Sequence, residues 1–359
     1  MKVLLWHVHG SWTTAFLQGP HEYLLPLVEG RGPDGRGRAR TWEWPAAARE
    51  VAPGAIAAER PDVVLLQRPH EAELLERWTG LRAGVDLAAV YLEHNAPPEH
   101  AARSVHPVGT GAGPRLPLVH VTAFNAVMWD NGAAPVTVVE HGVVDPGPLY
   151  TGEVGALAVV VNEPVRRWRV AGTDLVLAVA DPADPAGRVA VDVFGMGVAG
   201  LVEHAPHLAG HVHEDLPQAQ LHPEVARRRG YLHPYRWTSL GLALVEAMTM
   251  GCPVLALATT AAPESVPASA GVVSSDVTLL GAAARRWLAD PAEARERGAA
   301  ARDHALARFG LQRFLDDWDE VLAGAAGGGS SAAPPAAQGG RGPAAGRDGH
   351  DERTEVRGR

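Results

Sequence analysis

The stretch Leu240-Gly241-Leu242-Ala243-Leu244-Val245-Glu246-Ala247-Met248-Thr249-Met250-Gly251-Cys252-Pro253-Val254-Leu255-Ala256-Leu257-Ala258 sets the fold class of this chain. Its first part is rich in Leu, Ala, Met and Glu, which predicts a helix over Leu240–Met250 that closes at Gly251. Pro253–Ala258 then reads as a short, wholly apolar strand. A strand this apolar is covered on both faces, as in parallel sheets whose crossovers are helices. One such helix–strand unit predicts an α/β protein and sends the search outward for its other units.

Nearby, strands are expected at Ala156–Val161, Val189–Phe194 and Gly230–Leu232. Helices are expected at Gly172–Ala180 and Val277–Leu288, with a long charged one over Pro291–Leu322. The first half has the same alternation. Its expected strands are Lys2–Val8, Asp62–Leu66, Ala88–Leu92, Pro117–Val121 and Pro135–Val139, and helical spacing covers Trp12–Val28 and Glu71–Trp78. Gly30–Arg40 is rich in Gly and Arg and reads as an exposed loop. Two successive doubly wound series imply two Rossmann-like domains, 1–148 and 149–323, with a ligand cleft between them. From Gly324 to Arg359 the chain is mostly Gly, Ser, Pro and Ala with a charged end. That composition predicts a disordered tail over 324–359.

A length of 359 residues suits two domains better than one core. The composition, 46% hydrophobic and 20% charged, is that of an ordinary globular protein. A net charge of −9 argues against a nucleic-acid partner. No stretch approaches the ~20 apolar residues of a membrane span, and Met1–Gly10 has too few apolar residues for a secretory leader. The lone Cys252 excludes an internal disulfide and fits a reducing cytoplasm. Its place at the start of an apolar strand makes it a packing residue rather than a nucleophile.

A glycine-containing loop that opens a helix offers unpaired N–H groups and the positive end of the helix dipole. Leu240, Gly241 and Leu242 are therefore suited to cradle a diphosphate, and Glu246, one turn on, to accept hydrogen bonds from ribose hydroxyls. The plainer reading is a capped amphipathic helix with Glu246 facing solvent. Arg166, Arg167 and Arg169 follow the expected Ala156–Val161 strand. They suit phosphate binding, because a guanidinium fork meets two oxygens at once; otherwise they form a solvated loop.

The order Thr238-Ser239-Leu240-Gly241-Leu242, three residues, Glu246-Ala247-Met248, then Gly251-Cys252-Pro253-Val254 resembles the donor signature of a known family. It is that of the retaining GT-B glycosyltransferases of the group 1, family 4 type, which includes sucrose and mannosyl transferases. Thr238 stands where the family has its first Glu, a residue that contacts the donor or the migrating sugar. Thr238 can hydrogen-bond there but cannot hold negative charge. Val138–Asp145, with Gly142, resembles the segment that ends the family's N-terminal domain. Arg166 matches the family's Arg and Gly172 the Gly of its Lys-Gly pair, whose Lys is Ala171 here. Arg167 or Arg169 is then left to supply the missing charge.

The resemblance implies two facing Rossmann-like domains, the first for the acceptor and the second for the donor. The donor is a nucleoside-diphosphate sugar, the acceptor a hydroxyl on a glycan or natural product, and transfer retains configuration. No cofactor is implied. The donor contacts would be Gly10, Arg166, Arg167, Arg169, Thr238, Ser239, Leu240, Gly241, Leu242 and Glu246, with Arg166 also easing departure of the leaving group.

In the first half, Gly10 follows the first expected strand, where a backbone can approach a ligand closely, and His94 follows the third. The family places an acceptor-site His at the latter point; a histidine that merely caps the strand is the alternative. Glu264 resembles a loop Glu of the family without its flanking glycines. Glu203, His204, His207, His211, His213, Glu214 and Asp215 are dense but lack ligand spacing, and Pro206 breaks any aligning helix. Asp317-Trp318-Asp319 lies in the expected terminal helix, whose polar face accounts for it. No metal is expected. Two rivals use the same fold: a nucleotide-sugar 2-epimerase, and a non-catalytic nucleotide-sugar-binding protein, which Thr238 keeps in play.

Overall fold

The computed structural model describes residues 1–327 apart from 41, 99, 111–114 and 185. The tail expected from 324 thus lies outside the described residues from 328 onward.

The first half carries β1 (Lys2–Leu5), β2 (Glu22–Pro26), β3 (Ala48–Val51), β4 (Val63–Leu66), β5 (Ala88–Glu93), β6 (Leu118–His120) and β7 (Val136–Val138). They form one parallel sheet in the order β3-β2-β1-β4-β5-β6-β7. The second half carries β8 (Val154–Val160), β9 (Val191–Gly195), β10 (Val212–Glu214), β11 (Arg228–His233), β12 (Val254–Leu257) and β13 (Gly271–Ser274). Their order is β10-β9-β8-β11-β12-β13, again all parallel. Strand order reverses between β1 and β4 and between β8 and β11, and at such points the loops diverge and leave a crevice beyond the strands' carboxyl ends.

Alternation along each strand feeds a core on either face. Leu4, Trp6, Val64 and Leu66 fill one side of the first sheet, and Val3, Leu5, Val63 and Leu65 the other. In the second sheet Leu157 and Val159 face one layer of helices, while Ala158, Tyr231 and Val254 face the other. Cys252 is buried in the latter core and its thiol is pushed up to about 12 by burial, so it stays protonated.

Several expectations change. The helix expected over Trp12–Val28 is a helix only at Gly10–Phe16, followed by β2. Gly19-Pro20 ends it, and the contiguous Tyr23-Leu24-Leu25 fits a doubly buried strand as well as a helix. Strands β3, β10 and β13 are three or four residues long, too short to carry a period, and were not foreseen. Nor was the helix Pro164–Ala171, which carries all three arginines.

The stretch Pro291–Leu322 is two helices, Pro291–Phe309 and Leu311–Ala326, broken where Gly310 turns extended at ψ 140°. The second crosses back to the first half. Phe314, Leu315, Trp318 and Leu322 join the core of Val3, Leu5, Val90 and Leu92, and Trp318 meets the rings of Trp12 and Phe16 at 5.5 and 5.2 Å. It lies so close that a Cβ on Gly142 would stand 2.3 Å from that of Phe314.

Candidate functional site

The carboxyl ends of β1, β4 and β5 place His9, Gln67 and His94 side by side, and the segment after β7 adds His141. The His9 and His94 rings touch at a tilt, centroids 4.1 Å apart, and the Trp12 ring meets His94 edge-on at 5.2 Å. His94 and His141 are buried. Burial is the first cause that lowers all three imidazoles: His9 and His141 to about 4, and His94 well below the usual 6.5. Neighbouring histidines push the same way; Glu93 opposes at His9 and Glu140 at His141. The buried Glu93 carboxylate itself turns to His106 Nε2 at 3.2 Å and to the Asn95 amide at 2.7 Å.

These neutral imidazoles tie stability to pH. Unfolded, each takes up a proton near 6.5; folded, His9 and His141 do so only near 4. Between those values the unfolded chain binds more protons, so stability falls as the pH drops through that window. The Tm measured from pH 7.5 down to about 4.5 should fall, and His141→Gln should flatten the fall. An equal slope in that variant would mean His141 is not held neutral.

In the second half, the helix Leu242–Met250 starts at Gly241 with no side chain capping its first amides. Gly241 is required by packing: a Cβ there would lie 2.6 Å from the His233 ring. The His233 ring lies tilted against Tyr235, centroids 4.8 Å apart, and the Arg167 guanidinium lies 5.3 Å above the Tyr235 ring. Of the three arginines, Arg166 pairs with Glu163 (Nε to Oε1 3.0 Å) and Arg169 with Asp174 (3.2 Å). Arg167 alone of them has no carboxylate partner among the described residues. Glu163 and Trp168 hold positive φ of 52° and 25° around Arg166 and Arg167, an arrangement that costs backbone energy.

Sequence reasoning passed over Arg236, which grips Asp174 through two bonds of 2.6 and 2.8 Å and donates to the Arg169 carbonyl at 3.0 Å. It stitches the arginine segment to the loop before Thr238. No spacing rule links residues this far apart in the chain.

The two halves meet at these loops. Trp237 donates through Nε1 to the Pro97 carbonyl at 2.7 Å and packs edge-on against Phe124 at 5.6 Å. Ser239 Oγ and Thr122 Oγ1 are 3.4 Å apart, and the Leu240 backbone lies close to the His141 ring. His94, His9, His141 and Leu240 thus form one run of neighbours across the cleft. Beside it is a cavity of about 550 Å³ lined by Ser11 and Trp42 from the first half and by Gln218, His222 and Glu246 from the second. Glu246 has His222 Nε2 at 3.6 Å and Gln218 Nε2 at 3.5 Å, both long. Gly10 sits under the Trp42 ring, 3.4 Å from where its Cβ would be.

Three of the residues set aside earlier have other partners. His211 pairs with Asp192 at 2.7 Å, Glu214 accepts from the Ala199 amide at 2.9 Å, and Asp317 pairs with Arg313. Among the described residues no group of three or more His, Cys, Asp or Glu is placed to hold a metal ion. Glu264 lies in the short helix Ala262–Ser265, where its carbonyl accepts from Arg308. Among the described residues no helix is long and apolar enough to cross a membrane.

Two parallel, doubly wound halves meeting at a cleft are the GT-B fold. Residues 172–290 match the family model described as glycosyl transferases group 1. No curated protein matches the sequence significantly. Among solved structures, a sucrose-phosphate synthase from Thermosynechococcus elongatus is 15% identical with a TM-score of 0.66, covering 89% of this chain and 98% of that one. The HepE protein of Anabaena, in complex with UDP, is 15% identical with a TM-score of 0.63, covering 90% and 100%. AviGT4, a glycosyltransferase involved in avilamycin A biosynthesis, is 14% identical with a TM-score of 0.58, covering 92% and 99%.

Proposed function

We propose that this protein is a glycosyltransferase that moves a sugar from a nucleoside-diphosphate sugar, bound on its second half, to a hydroxyl acceptor bound on its first. The observation that carries this reading is the uncapped amino end of the Leu242–Met250 helix at the cleft, with Glu246 one turn deeper in the 550 Å³ cavity. Amides at Leu240, Gly241 and Leu242 meet the diphosphate, and Glu246 takes the ribose hydroxyls. Arg167, free of a carboxylate, reaches the phosphates first; Arg166 follows by exchanging Glu163 for phosphate oxygens. Fixed dipoles and guanidinium groups stabilise the charge that grows on the leaving diphosphate. Residues 1–148 form the acceptor side and 149–323 the donor side up to the helix Leu311–Ala326, which packs on the first half; the reaction takes place in the cytoplasm, and transfer retains configuration, as the resemblance of the donor loop implies.

The HepE structures with UDP and UDP-glucose make uridine donors the first to test. A thermal-shift screen of UDP-, GDP-, ADP- and TDP-sugars should raise the Tm with one base, since a ligand at 100 times its Kd adds about 2.7 kcal/mol. No shift with any of them would overturn the reading. Donor converted to an epimer without acceptor would identify the epimerase instead, and donor bound but never transferred the binding protein.

Activity should also survive EDTA with little loss, because arginines and helix amides neutralise the diphosphate. A collapse restored by Mg²⁺ or Mn²⁺ would contradict that account.

A further inference from the structure

The neighbouring strands β1, β4 and β5 end with Trp6, Gln67 and His94 in contact, and this contact settles which His94 nitrogen carries the proton. Gln67 Nε2 donates to the Trp6 carbonyl at 2.7 Å, and Gln67 Oε1 lies 2.8 Å from His94 Nε2. A carbonyl only accepts, so the amide nitrogen must face Trp6; the flipped amide would set two oxygens against each other. The oxygen left facing His94 also only accepts, so Nε2 must donate. A neutral imidazole has one proton, and Nδ1 is left with its lone pair and no partner among the described residues. Gln67 itself cannot drift. It is buried, and its backbone amide donates to Glu71 Oε2 at 2.6 Å. Glu93, the nearest carboxylate along the chain, is turned away to His106 and Asn95.

We propose that Gln67 is a positioning residue that locks His94 as the Nε2–H tautomer, so that Nδ1 serves as an obligate hydrogen-bond acceptor for one hydroxyl of the bound acceptor substrate. His94 then orients that hydroxyl by accepting from it and gives no hydrogen bond to the ligand. The ligand this unit selects carries a free O–H at that point; an ether, ester or carbonyl oxygen there is refused, because it would face a lone pair. The proposal rests on the reading of the first half as an acceptor side. Burial, which keeps His94 neutral, is consistent with it.

The tautomer is measured on the full chain by long-range ¹H–¹⁵N NMR, with His94 assigned by its loss in His94→Ala. At pH 7, Nε2 should be protonated and Nδ1 bare; Gln67→Ala should give a mixture of tautomers. Gln67→Glu, whose buried neutral carboxyl donates its O–H to the Trp6 carbonyl and keeps an acceptor oxygen facing His94, should retain the Nε2–H form even if the alanine variant folds poorly. With donor and acceptor present, Gln67→Ala should raise the acceptor KM about tenfold, the effect of one hydrogen bond. Donor Kd should stay within about twofold, and Gln67→Glu should recover most of the loss. A proton on Nδ1, or a tautomer indifferent to Gln67, overturns the proposal whatever the activity. An unchanged acceptor KM in His94→Ala overturns instead the acceptor reading beneath it.

Discussion

Glu246→Gln should weaken nucleoside-diphosphate binding roughly 10- to 150-fold, the loss of one charged hydrogen bond of about 1.5–3 kcal/mol, because the amide keeps a single neutral acceptor for the two ribose hydroxyls. The carboxylate is not saturated by the protein. Its neighbours His222 and Gln218 stand at 3.6 and 3.5 Å, too far to compete with ribose hydroxyls at normal bonding distance. The glutamine keeps the shape, so the helix and the core behind it are undisturbed. Titration with free nucleoside separates this role from phosphate binding: Glu246→Gln weakens nucleoside and diphosphate alike, whereas Arg167→Ala and Arg166→Ala weaken the diphosphate alone. The arginine variants should also lower kcat, because phosphate charge grows as the leaving group departs. Nucleoside affinity unchanged in Glu246→Gln would place the ribose elsewhere.

Gly172→Ala should be the most damaging single methyl in the second half. Gly172 has φ +75°, and a Cβ there would lie 2.0 Å from the Pro234 carbonyl oxygen. The left-handed backbone costs about 1–2 kcal/mol, and the clash with main chain, which cannot swing aside, adds about 1–3 kcal/mol. A fall in Tm of roughly 5–10 °C follows. Relief of the clash would also part the arginine helix from the Pro234–Trp237 loop, so donor affinity should fall with it. Gly324→Ala, where an added Cβ meets nothing within 4 Å, is the control. If both variants melt together, Gly172 is not in the close approach described.

The sequence carried the elements with a strong period or an unbroken apolar run. Val63–Leu66 and Val254–Leu257 are fully buried strands and were legible as such, and the glycine loop before Leu242 was legible as the start of a helix. Short edge strands such as Ala48–Val51 carry charged, half-exposed Arg49 and Glu50, one on each face, and have no sequence signature. The loop proposed to hold the donor was legible because its residues are contiguous. Gln67, His141 and Arg236 were missed because their roles arise from contacts between strand ends far apart in the chain. The three arginines show the same limit: their clustering was visible, but which of them is already paired depends on Glu163 and Asp174.

The final helix, Leu311–Ala326, gives the two halves an unequal claim on the chain. Phe314, Trp318 and Leu322 complete a core whose other side, Trp12, Phe16, Val90 and Leu92, is translated roughly 220 to 310 residues earlier. During synthesis the first sheet must therefore wait, one face bare, until the second half has emerged and the last helix can swing back. A fragment ending at residue 148 would keep that face bare for good and should aggregate. Anyone exchanging donor halves between related proteins has to cut twice, before β8 and again at Gly310, so that the closing helix travels with the sheet it covers.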